Sequence, residues 1–207
     1  FIIQLMKSNP KIKLIQHLYN QGTFHSRVHG IYHSCGKYII SLDSDDLFYP
    51  NSIQPLYEFS QQVDADVIDY KAQCGKRKKL YTLDWSPCDR NFTNNREIKV
   101  GFLNISLGFN IWKKMIKRSL LIKGLSCICP FFENKKILYA EDVAILGAAF
   151  LFASNYFCTK IPVYIHYSFS YFSVENGCVQ PKAQNRIQNQ YVFEVMNYLF
   201  SERESVF

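Results

Sequence analysis

A short apolar segment that runs straight into a polar loop most constrains how this chain can fold. Residues 37–42, Lys-Tyr-Ile-Ile-Ser-Leu, have the composition of a buried β-strand, and residues 43–46, Asp-Ser-Asp-Asp, follow at once. Pro50 and Asn51 then open a helix that we predict to reach about Val63. A strand, a polar loop and a helix in this order are typical of an open α/β sheet, whose ligands bind beyond the carboxyl ends of the strands.

Three carboxylates share that loop, and they need compensation. Asp43, Asp45 and Asp46 would repel one another if they were packed together without water, hydrogen bonds or a cation. Mg²⁺ and Mn²⁺ prefer oxygen ligands and share octahedral sites with phosphate oxygens. If the extended geometry continues, Asp43 and Asp45 point to the same side. Taken alone, these residues fit a metal site and a cap for the following helix equally well.

A second acid pair, Glu141-Asp142, stands at the start of an apolar segment that we predict to be helical as far as Phe152. The simplest interpretation is capping, because a carboxylate is favoured beside the positive end of a helix. The order of the features favours a functional role as a second interpretation. A strand-end aspartate cluster is followed, far along the chain, by an acid pair that begins a helix.

We predict the remaining elements from apolar periodicity and from turn residues. They are the end of a helix at 1–8, a short strand at 11–16, a helix at 26–34, a strand at 65–70, a hairpin or loop region at 71–100, a helix at 111–121, a strand at 161–167 and a terminal helix at 184–200. The helix at 111–121 rests on the spacing of Trp112, Met115, Ile116 and Leu120, which would bury one face.

Charge and hydropathy exclude some classes of function. Lys and Arg number 24 against 17 acids, a net charge of +7, which suits a polyanionic partner such as nucleic acid, a membrane surface or a diphosphate. No nucleic-acid motif accompanies the basic cluster at 76–79, so we interpret that cluster as a solvated loop and expect no nucleic-acid partner. The longest apolar run, 143–153, is shorter than the roughly 20 residues of a transmembrane helix, and we predict no transmembrane segment.

The chain has seven cysteines, an odd number without paired spacing. Cys127 and Cys129 form a lone C-x-C, without the second pair or the histidines of a zinc site. We therefore expect reduced thiols and a cytoplasmic protein, with any membrane association supplied by other parts of the full-length protein.

Four blocks of sequence, in this order, resemble the family 2 glycosyltransferases, which have the GT-A fold. The blocks are 20–22 (Asn-Gln-Gly) with Arg27, Gly30, 36–39 and 42–46; 112–119; 140–143 (Ala-Glu-Asp-Val); and 161–164 (Ile-Pro-Val-Tyr). The resemblance implies a GT-A-like (Rossmann-like) α/β domain at 1–170, with a mixed sheet flanked by helices, and a C-terminal helical extension at 171–207. The family's opening strand and its Asp-Gly-Ser segment do not precede Phe1, so we expect a domain that lacks the first strand-helix unit.

The resemblance also implies a role for each acidic cluster. Arg27, Asp43 and Asp45 would bind the nucleotide-sugar donor, and Asp45 and Asp43 would hold Mn²⁺ or Mg²⁺. Asp142 would be the general base that takes the proton from the acceptor hydroxyl, with Glu141 beside it. The implied reaction is a single displacement that inverts the anomeric centre. The implied partners are a nucleotide-diphosphate sugar, most often a UDP-sugar, and a carbohydrate or glycoconjugate acceptor.

Two side chains and one class of function stay open at this point. Trp112 could shape an acceptor pocket or could only pack in the core. His166 could approach a metal, although a histidine on a strand is more often held by a hydrogen bond. The alternative function is an inactive glycosyltransferase-like fragment that acts as a binding module.

Overall fold

Helices and strands alternate along most of the chain. The computed structural model describes residues 2–202, except 77–78, 86–88, 134, 136, 138–139 and 168–181. Its elements are α1 (Ile2–Ser8), α2 (Thr23–His33), β1 (Tyr38–Ile40), β2 (Leu47–Phe48), α3 (Ile53–Val63), β3 (Val67–Lys76), β4 (Lys79–Trp85), α4 (Asn95–Leu103), a 3₁₀ turn (Ile111–Lys113), β5 (Lys114–Lys117), α5 (Arg118–Phe132), α6 (Glu141–Phe150), β6 (Tyr156–Tyr167) and α7 (Lys182–Glu202). The basic cluster at 76–79 falls at the β3–β4 connection, and its residues 77–78 lie outside the described part.

The strands form one mixed sheet. Its order is β1-β5-β3-β6-β2, and β4 pairs with the far end of β3. The long strands β3 and β6 run parallel, whereas the other pairs are antiparallel. The predicted α/β fold with a mixed sheet flanked by helices is therefore confirmed. Because β2 pairs with β6 just after the loop 43–46, that loop lies beside β6.

Two predicted elements are wrong. Residues 11–16 form no strand, and the helix predicted at 111–121 is a 3₁₀ turn followed by β5, with α5 starting only at Arg118. β5 lies between β1 and β3, where Met115 contributes to one core cluster and Ile116 to the other. A strand buried on both faces carries consecutive apolar residues, so its pattern resembled a helical stripe.

The sheet separates two apolar clusters of unequal size. The smaller one lies under α3 and includes Leu56, Ile68, Trp112, Met115 and Tyr164. The larger one lies on the opposite face and draws on α2, α4, α5, α6 and α7. In α7, Met196 packs against Gly147 of α6, although the boundary placed at residue 170 stays a prediction.

Helices α5 and α6 approach each other closely enough to require a glycine. A Cβ atom added at Gly124 would lie 1.9 Å from the backbone oxygen of Ala148, far inside van der Waals contact. Every residue of α6 from Val143 to Phe150 is buried, so α6 has no exposed face toward which it could shift.

The helix lengths and the cysteines test two expectations from the sequence. Among the described residues, no helix is both long and apolar enough to cross a bilayer. Cys35, Cys127 and Cys129 are free thiols, but Cys158 is disulfide-bonded, so the expectation of reduced thiols is wrong for that residue. The cytoplasmic location stays a prediction.

We predict that Gly124→Ala lowers the free energy of unfolding by about 3 kcal/mol, because the added methyl group overlaps the α6 backbone. Urea denaturation followed by circular dichroism measures the change. Gly30→Ala is the matched control, since Gly30 is exposed on α2 and a Cβ atom there meets nothing within 4 Å. That substitution should instead stabilise the protein by about 0.5–1 kcal/mol. If the two substitutions changed the free energy of unfolding equally, the close approach of α5 and α6 would be refuted.

Candidate active site

Arg27 connects the acidic loop 43–46 to the acid pair Glu141-Asp142. Its Nη2 donates to Asp43 Oδ1 at 2.7 Å, and its Nε lies 3.9 Å from Asp142 Oδ1. Arg27 projects from α2, Asp43 follows β1 and Asp142 begins α6, so three separate elements meet there. Residues far apart in sequence thus form one partly exposed acidic site around a single guanidinium group.

The loop 43–46 is fixed to the sheet by its last residue. Asp46 has a fully buried carboxylate that accepts hydrogen bonds from the Tyr164 hydroxyl (2.7 Å), His166 Nδ1 (3.0 Å) and the Tyr167 backbone N–H (2.7 Å). The Tyr164 hydroxyl also accepts the backbone N–H of Asp43 at 3.1 Å. Strand β6 therefore holds both ends of the loop, and Asp46 is an anchor rather than an open ligand.

Asp45 stands at the exposed tip of the same loop. It makes no hydrogen bond or ion pair with the described residues, and the backbone N–H of Asp46 closes the turn onto the Asp43 carbonyl. Within the described part of the chain, no three His, Cys, Asp or Glu side chains are grouped so that they could hold a metal ion. The loop fits a divalent cation only where phosphate oxygens complete the coordination, as is usual for Mg²⁺.

The acid pair at the start of α6 has an unusual environment. Burial, opposed by Arg27 and aided by a smaller effect of Glu141, raises the pKa of Asp142 to about 6. Burial also raises the pKa of Glu141. One oxygen of Asp142, Oδ2, accepts the backbone N–H of Ile111 at 3.4 Å, while Oδ1 is buried without a hydrogen-bond partner. An unsatisfied buried oxygen disfavours the ionised form, which agrees with the direction of the pKa shift.

Arg27 keeps its charge in this setting. Burial alone would lower the pKa of the guanidinium, but Asp142 and Asp43 outweigh that effect, so the pKa is raised. Its Nε is buried and forms no hydrogen bond, because 3.9 Å to Asp142 is an ion-pair distance and too long for a hydrogen bond. The guanidinium therefore leaves one donor unused beside the acid pair.

Trp112 and His166 pack against the residues that hold the loop 43–46. Trp112 is 5% exposed and stacks on Tyr164 (4.8 Å between centroids) and on His166 (5.1 Å). This position favours the packing role over an acceptor pocket. His166 is held by Asp46, so it matches the hydrogen-bonded interpretation.

Sequence reasoning missed several groups at the site. The Ile111 amide, the Tyr164 hydroxyl and the buried ammonium of Lys114 all support the acidic residues. Tyr164 lay in a block that resembled the family and could have been found there. The other two were hidden by the incorrect helix at 111–121.

We predict that Asp46→Asn lowers the free energy of unfolding by about 2 kcal/mol, because an amide cannot accept all three donors and one is left buried and unpaired. Chemical denaturation measures this. Asp45→Asn alters an exposed neighbour in the same loop and should stay within about 0.5 kcal/mol of the unmodified protein. If both substitutions were neutral, Asp46 would not be the anchor.

We predict that Asp142→Asn stabilises the protein above pH 7 by about 1–3 kcal/mol and has little effect near pH 4. The folded pKa of Asp142, about 6, lies above the unfolded value of about 3.9, so ionisation opposes folding. The unmodified protein should lose this stability as the pH rises from about 4 through 6, and the Asn variant should not. Thermal unfolding across this pH range tests the sign. The prediction would be wrong if the stability gained by the Asn variant over the unmodified protein were smaller at pH 7.5 than at pH 4.

Comparisons with known proteins agree with this fold and identify a family. The model of the family described as glycosyl transferase family 2 matches residues 1–125 of the 207. A crystal structure of S. aureus TarS 1-349 is similar with a TM-score of 0.59 and 15% identity, over 98% of this chain and 68% of that one.

Two further TarS structures show how much of the relative is shared. One structure of S. aureus TarS gives a TM-score of 0.58 at 15% identity, over 97% of this chain but only 35% of that one. TarS 1-349 in complex with UDP-GlcNAc gives 0.57 at 15% identity, over 96% and 60%. At such identities the likeness concerns the fold alone. No curated protein matches the chain. Because the family model matches more than half of its residues, the chain belongs to glycosyl transferase family 2.

Proposed function

We propose that this chain transfers a sugar from a nucleotide-diphosphate donor to an acceptor hydroxyl, with inversion and with the help of a divalent cation. The observation that carries the proposal is the Arg27 bridge, which brings the strand-end aspartate loop and the α6 acid pair to one site. A glycosyl transfer needs both parts: one for the leaving diphosphate and one for the attacking hydroxyl. The TarS structure in complex with UDP-GlcNAc supports a uridine nucleotide as the donor carrier.

The loop 43–46 has the properties of the donor side. Asp45 is exposed and unengaged, so with Asp43 it would hold Mn²⁺ or Mg²⁺ against the diphosphate oxygens. When bound, the cation supplies Lewis-acid stabilisation of the negative charge that accumulates on the leaving diphosphate. The buried Asp46 anchor keeps the loop in place, so little reorganisation is needed during the reaction. The Arg27 guanidinium adds fixed positive charge beside the same loop.

Asp142 has the properties of the acceptor side. A general base works best when its pKa lies near the working pH, and burial brings the pKa of Asp142 to about 6. At neutral pH the carboxylate is ionised, yet it binds a proton much more readily than an exposed aspartate does. It can therefore take the proton of an attacking hydroxyl in a single displacement, which gives inversion. Glu141 stands beside it and, as a second negative charge, raises its proton affinity.

A second candidate is the non-catalytic binding module, and one observation favours it. Asp43 is engaged by Arg27 at 2.7 Å, so only Asp45 of the loop is fully open to a cation. A domain of this kind would bind a carbohydrate or a protein without the metal-dependent nucleotide binding of a transferase.

We predict that the purified chain binds UDP in the presence of Mn²⁺, that chelation removes the binding, and that Asp45→Asn weakens it at least tenfold. Isothermal titration calorimetry measures each case. Asp142→Asn is the matched control: binding should be unchanged within about twofold, while sugar transfer falls by about 10²–10⁴. Equal loss of binding in both variants would contradict the separate roles. A folded chain that binds no UDP would favour the binding module.

A further inference from the structure

We propose that Lys114 is a positioning residue for Asp142, because its ammonium group fixes the peptide group whose N–H donates to that carboxylate. The inference rests on the function proposed above only in taking Asp142 as the base. The contacts themselves do not depend on the reaction.

The geometry centres on the peptide group between Asn110 and Ile111. Lys114 Nζ lies 3.3 Å from the Asn110 carbonyl oxygen and 3.3 Å from the Gly108 carbonyl oxygen. The N–H of the same peptide group, on Ile111, donates to Asp142 Oδ2 at 3.4 Å. A peptide group is a rigid plane, so a donor that holds its oxygen also sets the direction of its N–H. A cation at the oxygen and an anion at the N–H also polarise the group in the same direction.

The loop 104–110, which leads to this peptide group, needs such a restraint. Ile105 has φ of 64°, a conformation that disfavours a β-branched residue by roughly 1–2 kcal/mol, and Gly108 has φ of 60°. Strained backbone persists only where the surroundings hold it in place. Lys114 lies at the far end of this loop, is 1% exposed, and binds two of its carbonyl groups.

The charges around the two side chains define what the substitution would change. Asp142 faces Arg27 from α2, Asp43 from the loop after β1, and Glu141 on its own helix. Lys114 faces Asp69, Lys113 and Asp142; burial lowers its pKa to about 8, and the two carboxylates oppose that shift. The ammonium is thus mostly charged at neutral pH.

The neighbouring lysine provides a matched control. Lys113 Nζ pairs with Asp69 Oδ1 at 3.3 Å, and its side chain is also largely buried. Among the described residues, this ion pair joins Lys113 to β3 and not to the carbonyl groups of the loop. Lys113→Met removes a buried ammonium group one residue away, so it reports the general cost of losing such a charge.

The experiment measures the pKa of Asp142 directly, by ¹³C NMR of the side-chain carboxyl group in the whole chain, without substrate and with chelator present. Asp142→Asn assigns the resonance. In Lys114→Met the freed peptide group weakens its hydrogen bond to Asp142, so the pKa should rise above about 6 by roughly half a unit to one unit. Lys113→Met should leave it unchanged. Lys114→Gln removes the charge but retains an N–H donor for the carbonyl groups, so the pKa of Asp142 should rise by less than half a unit in this variant, which separates the lost charge from the freed peptide group.

Transfer kinetics provide the second readout. In Lys114→Met, kcat at pH 7 should fall by about tenfold, the acid limb of its pH profile should move to higher pH, and KM for the donor should stay within about twofold. A pKa of Asp142 that is unchanged in Lys114→Met, or that rises equally in both Lys114 variants, would overturn the inference, whatever the kinetics. A shifted pKa in a chain without transfer activity would support the positioning role and count only against the proposed function.

Discussion

The rest of the site depends on one buried carboxylate. Asp46 carries a negative charge into the interior, and three donors from β6 satisfy it. A buried carboxylate without such partners would be strongly destabilising, so the loop 43–46 and the strand β6 must stay together. This interaction gives a loop at the end of a strand a fixed shape. It also explains why Asp45, directly before the anchor, can be exposed without making the loop loose.

A fixed loop places Asp43 where Arg27 can reach it, and Arg27 in turn sets the electrostatics of the acid pair. Without a nearby cation, three ionised carboxylates around a partly buried site would favour protonation of at least one of them. Arg27 lowers the pKa of Asp142, while burial raises it more, and the balance lies near 6. The site therefore holds a carboxylate that is ionised at neutral pH but close to its titration range.

The main parts of the candidate site could be predicted from the sequence because they are local. The strand running into 43–46 and the apolar helix after Glu141 could be predicted from periodicity, and the family resemblance added Arg27. The failure at 111–121 has a physical cause. A short strand between two others is buried on both faces, so its pattern lacks alternation and looks like a helix. The groups hidden there, Lys114 and the Ile111 amide, act only through contacts that depend on the tertiary fold.

The packing of α6 offsets two energetic costs at its N-terminal end. Ala140, which precedes α6, has φ of 58°, a left-handed conformation that costs roughly 1–2 kcal/mol for a residue with a side chain. The ionised Asp142, in the first turn of α6, opposes folding as well. Both costs fall on a helix whose residues from Val143 to Phe150 are all buried and which is held against Gly124 and Met196. A helix buried on every side cannot unwind or rotate to relieve strain at its first turn, so it can hold a carboxylate in an environment that a surface helix would not maintain.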